Sequence, residues 1–444
     1  MKTGVNEAHN AIYAKSDSIT SVFQAIWYDD AGDDSVMLFK REKYLKKIRP
    51  FYSSDDIIKV ITGVRRCGKS SLMQMIADEL RQNGVKDDDI IYLDLDERKN
   101  RKIKTPDQLE ALIESERLDD GHKYLFIDEV QNVEGFEEVL NGYRTDGGFS
   151  IFITGSNSYL LSGEVVTKLT GRYLEFEMFT LSFEEYEQMK RFYGRDVNPN
   201  LSVELNRYVL EGGFPRTIDI DDIAAKRTYV TGVVNEIFEK DIRKRVKIRD
   251  EAAFESVRNF VIINFGSTMS VKSITEALQK NGLTITRATV KRYISALVDA
   301  KILYECSRFD LKSKRALSGE KKYYLSDLSF YFSQNTDNRI NFGPVLENMV
   351  YVYSRSLDYS VSVGRIGKFE CDFILRSPER DYSYVQVAYT ILESTETEDC
   401  EYRPLESIRD NYPKYVVTTD YMLQKRNGIH HVNLMDFMVS ESRF

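Results

Sequence analysis

The octapeptide Gly63-Val64-Arg65-Arg66-Cys67-Gly68-Lys69-Ser70 limits the fold of this chain more than any other stretch. Its spacing is GxxxxGK followed by Ser or Thr, a pattern that cradles phosphate only when a strand delivers it and a helix leaves it. Both flanks are present. Ile57-Ile58-Lys59-Val60-Ile61 is a β-branched run that predicts a buried strand, and Ser71 to Arg81 carries Leu72, Met75, Ile76 and Leu80 at helical spacing. The glycines let backbone amides turn toward phosphates, Lys69 neutralises β and γ oxygens, and the Ser70 hydroxyl suits a magnesium ion. The helix N-terminus adds the positive end of its dipole. The expected ligand is ATP with Mg²⁺, held by Gly63, Val64, Arg65, Arg66, Cys67, Gly68, Lys69, Ser70 and Ser71.

Further strands follow at intervals that suit a parallel sheet. Ile90 to Leu95 precedes a helix at Asp107 to Glu116, and Tyr124-Leu125-Phe126-Ile127 ends in Asp128-Glu129. Ligands of open parallel sheets bind beyond the strand C-termini, so Asp128 is expected to join Ser70 in holding the metal while Glu129 polarises the attacking water. The competing reading is an acidic pair that merely solvates a strand end. Ser150 to Thr154 delivers Gly155-Ser156-Asn157 to the same edge, where Thr154 or Asn157 would sense the γ-phosphate. Gly171-Arg172 opens an alternating strand, Tyr173 to Met178, and Ser182 and Glu185 are spaced as a capping box at the start of a helix.

The phosphate loop with its paired arginines, Ile127-Asp128-Glu129-Val130-Gln131, Thr154-Gly155-Ser156-Asn157, Gly171-Arg172-Tyr173, Leu181-Ser182-Phe183-Glu184-Glu185-Tyr186 and Gly212-Gly213-Phe214-Pro215 form a recognisable set. Together they resemble the AAA-type ATPases of bacteria and archaea that carry a C-terminal domain of unknown function, over roughly residues 38 to 440. The resemblance implies ATP hydrolysis, with Lys69, Asp128 and Glu129 catalytic and Arg172 a γ-phosphate sensor or arginine finger. For Arg172 a solvated surface salt bridge is the competing reading.

At 444 residues the chain has room for about three domains. The net charge of −8 argues against a protein that coats nucleic acid non-specifically. Locally the balance reverses: residues 271 to 322 hold twelve Lys or Arg against five acids. Phe183 to about Phe265 reads as a helical lid, and the basic segment reads as a winged helix. Its second helix turns Val290, Ile294 and Leu297 inward and Arg287, Lys291 and Ser295 outward, which suits duplex DNA or packing against another protein surface.

In the last hundred residues a helical Glu347, a strand Asp372 and a following strand Gln386 resemble the restriction-endonuclease-like fold. Ala388 stands where its nucleases place lysine, and Lys368 is the nearest replacement. An inactive binding domain, an active nuclease and a scaffold remain open.

The fold class expected is therefore α/β: an N-terminal extension (1–37), a P-loop NTPase core with a parallel sheet (38–181), a helical lid (182–268), a winged helix (269–335) and an endonuclease-like α/β domain (336–444). The expected function is Mg-dependent ATP hydrolysis driving a DNA-associated switch, against an ATP-gated nuclease or a signalling scaffold that touches no DNA. Duplex DNA and a homo-oligomer are the expected partners. With no run of 18 apolar residues and no apolar leader in the first twenty, a cytoplasmic protein free of the membrane is expected. Four scattered cysteines, Cys67, Cys306, Cys371 and Cys400, read as free buried thiols.

Overall fold

Ile58, Val60 and Ile61 are buried because their strand, β1 (Ile58–Thr62), has a parallel neighbour on each side. A strand covered on both faces has no use for polar alternation, which explains the continuous apolar run. The computed structural model describes residues 37–155, 169, 171–244, 246–334 and 339–444. Within them Arg41–Phe444 folds as one unit, and Lys40 and the residues before it fall outside it.

The first sheet has the order β2 (Ile90–Asp94), β3 (Lys123–Asp128), β4 (Phe149–Thr154), β1, β5 (Tyr173–Glu177), every pair parallel. Helices α1 (Glu42–Ile48), α2 (Lys69–Gln82), α3 (Pro106–Glu116) and α4 (Phe136–Asp146) accompany it. Thr105 and Gln108 close a capping box on α3, and Pro106 occupies its first turn, where no amide partner is lost. Tyr92, Phe126 and Phe152 stack across three adjacent strands, with centroids 5.8 and 4.7 Å apart. Since β1 and β3 flank β4, the loop after β1 and the carboxylates after β3 open onto one edge. This is the P-loop NTPase sheet.

From α5 (Phe183–Phe192) through α6 (Leu201–Glu211), α7 (Ile223–Ile237), the π-helical turn Phe238–Ile242 and α8 (Glu251–Ile263), the described residues form helices and no strand. The Gly212-Gly213 pair is needed where this segment meets the rest. A Cβ on Gly212, at φ +78°, would lie 2.2 Å from Asp327 Oδ1, and one on Gly213 would lie 2.4 Å from the Leu181 carbonyl. The Gly213 amide then donates to buried Asp327 Oδ2 at 2.8 Å.

Next come β6 (Thr268–Ser270), α9 (Val271–Lys280), α10 (Arg287–Asp299), the hairpin β7 (Leu303–Asp310) and β8 (Arg315–Leu325), and α11 (Ser329–Gln334). The chain finishes with α12 (Phe342–Ser356), β9 (Ser360–Ile366), β10 (Phe369–Arg376), β11 (Tyr382–Val387), α13 (Thr395–Glu406), β12 (Lys414–Thr418), β13 (Lys425–Arg426), β14 (Ile429–Asn433) and α14 (Leu434–Val439). These strands form one nine-stranded sheet, β13-β14-β12-β11-β10-β9-β7-β8-β6. Its seam is the parallel pairing of Arg308, Phe309 and Asp310 with Val363, Gly364 and Arg365. The sheet thus draws strands from both sides of the boundary at which the sequence suggested that one module ends and the next begins.

Among the described residues no helix is long and apolar enough to cross a membrane. All four cysteines are free; Cys67, Cys306 and Cys371 are buried as expected, whereas Cys400 is exposed.

The first sheet is bound to the helical segment by a buried ion pair. Arg41 and Glu185 are 3% and 5% exposed. Arg41 donates to both Glu185 oxygens, at 2.9 and 2.6 Å, and to the carbonyls of Cys67 (3.1 Å), Phe179 (2.8 Å) and Thr180 (3.2 Å). Glu185 also completes the expected cap, since its Oε2 accepts the Ser182 amide at 3.0 Å. Burial alone pushes the Glu185 carboxyl up, but Arg41 outweighs it and holds the group down to about 2. A depressed carboxyl contributes stability that is complete above its unfolded value and is lost as pH falls through the folded one. We expect Glu185→Gln to cost about 3–5 kcal/mol at neutral pH, because it strands a buried guanidinium. In denaturant melts the variant should also lose less stability than the parent between the ordinary value of 4.5 and about 2.

Candidate active site

The phosphate loop is held open to ligand by its backbone. Gly63 has φ +145°, and a Cβ there would lie 2.1 Å from the Met178 carbonyl, so no other residue fits between β1 and the exit of β5. Gly68, at φ +107°, caps α2, whose first residue is Lys69. The Lys69 ammonium donates to the carbonyls of Gly63 (3.0 Å) and Val64 (3.3 Å) and is 8% exposed. It is therefore folded over the loop it would share with a phosphate. Ser70 is exposed at the mouth, Ser71 half-buried, and Val64 and Cys67 are buried.

Across the end of β4 stand the two carboxylates. Asp128 is 4% exposed and accepts the Thr154 hydroxyl, while the Glu129 amide donates to Thr154 Oγ1 at 3.2 Å. Thr154 thereby fixes the Asp128 carboxylate and the Glu129 backbone from the neighbouring strand. Glu129 adopts φ +55°, the left-handed region that non-glycine residues enter at a cost, and this turns it off the strand toward the loop. Its Oε2 accepts a hydrogen bond from the Gln131 side-chain Nε2, and its Oε1 lies 3.8 Å from Arg65 Nη1. A serine hydroxyl, a buried aspartate and loop amides are the oxygen and N–H groups that a magnesium triphosphate requires.

Sequence reasoning missed three partners of this group. Asp94 ends β2 in register with Asp128, and burial together with Asp128 raises its carboxyl. The acidic end of that strand was visible in the sequence. Asp241 and Glu236 reach Arg65 from the helical segment, about 170 residues along the chain, and no local pattern announces them.

Arg172 does not join the group. Its carbonyl accepts the Ile58 amide at 2.9 Å, at the start of β1, and Tyr173 pairs with Ile58 while Glu177 pairs with Thr62. The exposed Arg172 thus sits at the opposite edge of the sheet, a strand length of roughly 16 Å from the loop. This corrects the expectation of a γ-phosphate sensor acting within one chain. Asn157 lies outside the described residues.

The C-terminal trio is arranged around a different cation from the one sought. Gln386 Oε1 accepts the Asp372 amide at 3.4 Å, and Asp372 Oδ2 accepts the Val387 amide at 2.8 Å. Between them lies Lys322 of β8, its ammonium 3.0 Å from Glu347, 3.2 Å from Glu370 and 3.9 Å from Asp372. Tyr324 donates to the same Glu347 oxygen at 3.1 Å. Lys368 is exposed and lies against the Phe369 ring. Among the described residues no three His, Cys, Asp or Glu side chains gather as a metal-binding group. Burial and Glu347 push the Asp372 carboxyl well up despite Lys322. Lys322→Met should accordingly destabilise the protein by about 3–5 kcal/mol, through carboxylates left uncompensated, as read in denaturant melts. The unmodified protein should leave linear and supercoiled DNA intact with Mg²⁺ or Mn²⁺; cleavage that Lys322→Met abolishes would make the cluster a nuclease site.

Residues 55–187 match the model of an AAA domain, and residues 202–337 match a domain of unknown function, DUF8612. An uncharacterised protein of Haemophilus influenzae is 33% identical over 408 residues, which cover 91% of this chain and 100% of that protein. An uncharacterised protein of Methanocaldococcus jannaschii is 29% identical over 382 residues, 83% of each chain. Among solved structures, the Walker-type ATPase of Pyrococcus abyssi aligns with 67% of this chain and 95% of its own, at 17% identity and a TM-score of 0.47. With its phosphate loop and paired carboxylates inside the matched span, the chain carries an AAA domain of the P-loop type and belongs, over nearly its whole length, to one family with the Haemophilus protein.

Proposed function

We propose that this protein binds MgATP at Gly63 to Ser70, hydrolyses it, and uses the nucleotide state to reposition a DNA-binding module. The observation that carries the reading is the meeting of Lys69, Asp128 and Glu129 at one sheet edge, with Thr154 bonded to the Asp128 carboxylate and the Glu129 backbone. Lys69 neutralises phosphate charge, Ser70 and Asp128 would hold the metal, and Glu129 orients and polarises water. A magnesium ion held by Ser70 and Asp128 would supply charge compensation to the phosphates. Arg172, remote from its own chain's loop, is in this reading a finger offered to a second copy in a homo-oligomer.

The DNA-binding part rests on β6, α9, α10 and the β7–β8 hairpin, read as a winged helix. On α10 Val290, Tyr293, Ile294 and Leu297 are buried, whereas Arg287, Lys291 and Ser295 are exposed on one stripe and Arg292 is exposed beside it. The hairpin tip adds exposed Lys312, Lys314 and Arg315. A helix with a basic outer stripe beside a basic hairpin suits a major groove and its phosphates.

Lys69→Ala should abolish nucleotide binding, and Glu129→Gln should bind ATP yet lose turnover about a hundredfold or more, the usual scale for removing one transition-state contact. Turnover unchanged in both would overturn the ATPase reading. Reversing Arg287 and Lys291 to Glu should weaken duplex binding and flatten its salt dependence by roughly one unit of slope per lost phosphate contact. Equal binding before and after would assign α10 to packing and favour the scaffold.

A further inference from the structure

Arg65 is the third residue of the phosphate loop, yet its guanidinium is bound by residues outside the loop. Nε and Nη2 donate to Asp241 Oδ2 and Oδ1 at 3.0 and 2.8 Å, a two-pronged pair whose side chains are 11% and 6% exposed. Such a pair fixes the plane of the guanidinium as well as its place. The remaining nitrogen, Nη1, is thereby aimed at two carboxylates, Glu129 Oε1 and Glu236 Oε1, each 3.8 Å away. Glu236 is served by other cations too: Arg66 at 3.1 Å and Lys240 at 2.9 Å. Glu129 is held on its other oxygen by Gln131.

The 3.8 Å separation matters. It is beyond hydrogen-bond reach, so Arg65 attracts Glu129 without occupying the lone pairs that a water would use. Asp241 belongs to the π-helical turn Phe238–Ile242, a distortion that interrupts the regular ladder just past α7. A buried ion pair is retained poorly for stability alone, since desolvation offsets most of its attraction. Its geometry here is specific: one guanidinium joins the phosphate loop, the end of β3 and the helical segment.

We propose that Arg65 is a positioning residue for ATP hydrolysis. It sets the Glu129 carboxylate in its working place, and does so only while Asp241 is seated on it, so turnover depends on the docking of the turn at 238–242. The proposal rests on the ATPase reading above and adds to it a second requirement, supplied from outside the nucleotide domain.

The test uses the full chain, steady-state MgATP turnover, and equilibrium binding of a fluorescent ATP analogue. Asp241→Asn and Arg65→Lys should each lower kcat about tenfold to a hundredfold, the scale of a misplaced reacting group, and Asp241→Asn, which lies outside the phosphate loop, should keep KM and analogue affinity within about twofold of the parent. Asp241→Glu, which can still grip two nitrogens, should recover most of kcat. The double variant Arg65→Lys with Asp241→Asn should be little slower than either single one, because both remove the same constraint. Parental kcat in Asp241→Asn and Arg65→Lys, or a raised KM at unchanged kcat, would overturn the proposal while leaving the ATPase reading standing. A parent no faster than Lys69→Ala would instead overturn both.

Discussion

A guanidinium removed from water must be surrounded by acceptors or the fold fails, and Arg41 meets that demand by gathering three separate pieces of chain. The Cys67 carbonyl belongs to the phosphate loop, those of Phe179 and Thr180 to the exit of β5, and the carboxylate of Glu185 to α5. Since Glu185 must also receive the Ser182 amide, the start of α5 cannot move without disturbing the charge. The Phe179 amide is itself taken by the Tyr44 hydroxyl, on the helix that begins one residue after Arg41. Few alternative packings keep every one of these acceptors within reach. A buried polar network of this kind selects one arrangement more than it adds net stability.

The parts of this protein that were legible in the sequence are those in which cause and effect lie close together along the chain. The phosphate loop needs glycines at 63 and 68 for its own backbone, and the cap at Ser182 needs a partner three residues on. Buried parallel strands need unbroken apolar runs, and α10 needs a period near four to bury Val290, Ile294 and Leu297. Each constraint leaves a mark within a dozen residues. Arg172 shows the limit of such reading, because Gly-Arg-Tyr gives the same strand opening at either edge of a sheet. Only the register of Tyr173 with Ile58 tells which edge it occupies. Asp241, Glu236 and Lys322 left no mark at all, since their partners are brought to them by topology.

Lys322 shows how a missing residue can be answered from elsewhere. The acids on α12 and β10 need a cation, and Ala388 on the following stretch supplies none. A strand some fifty residues upstream does, because β8 lies two places from β9 in the shared sheet. Arg308 of β7 completes the neutralisation by meeting Glu370 at 3.0 Å. Electrostatic balance is thus satisfied across the seam, which explains why the two halves of the sheet stay together without a long hydrogen-bonded ladder between them.

That seam also governs how the chain can be divided. Only Arg308, Phe309 and Asp310 pair with β9, but they occupy the flank of β7 that would otherwise be bare. Phe309 and Leu311 pack on the apolar cluster around Cys371, Ile374 and Tyr384. A polypeptide ending in the loop before α12 would present an unpaired strand edge with exposed aromatic and aliphatic side chains, the usual starting point for edge-to-edge aggregation. It would also release Lys322 and Arg308 from their acids. The helical pair and the C-terminal layer therefore share one sheet, and a displacement of β7 is carried through its backbone pairing to β9.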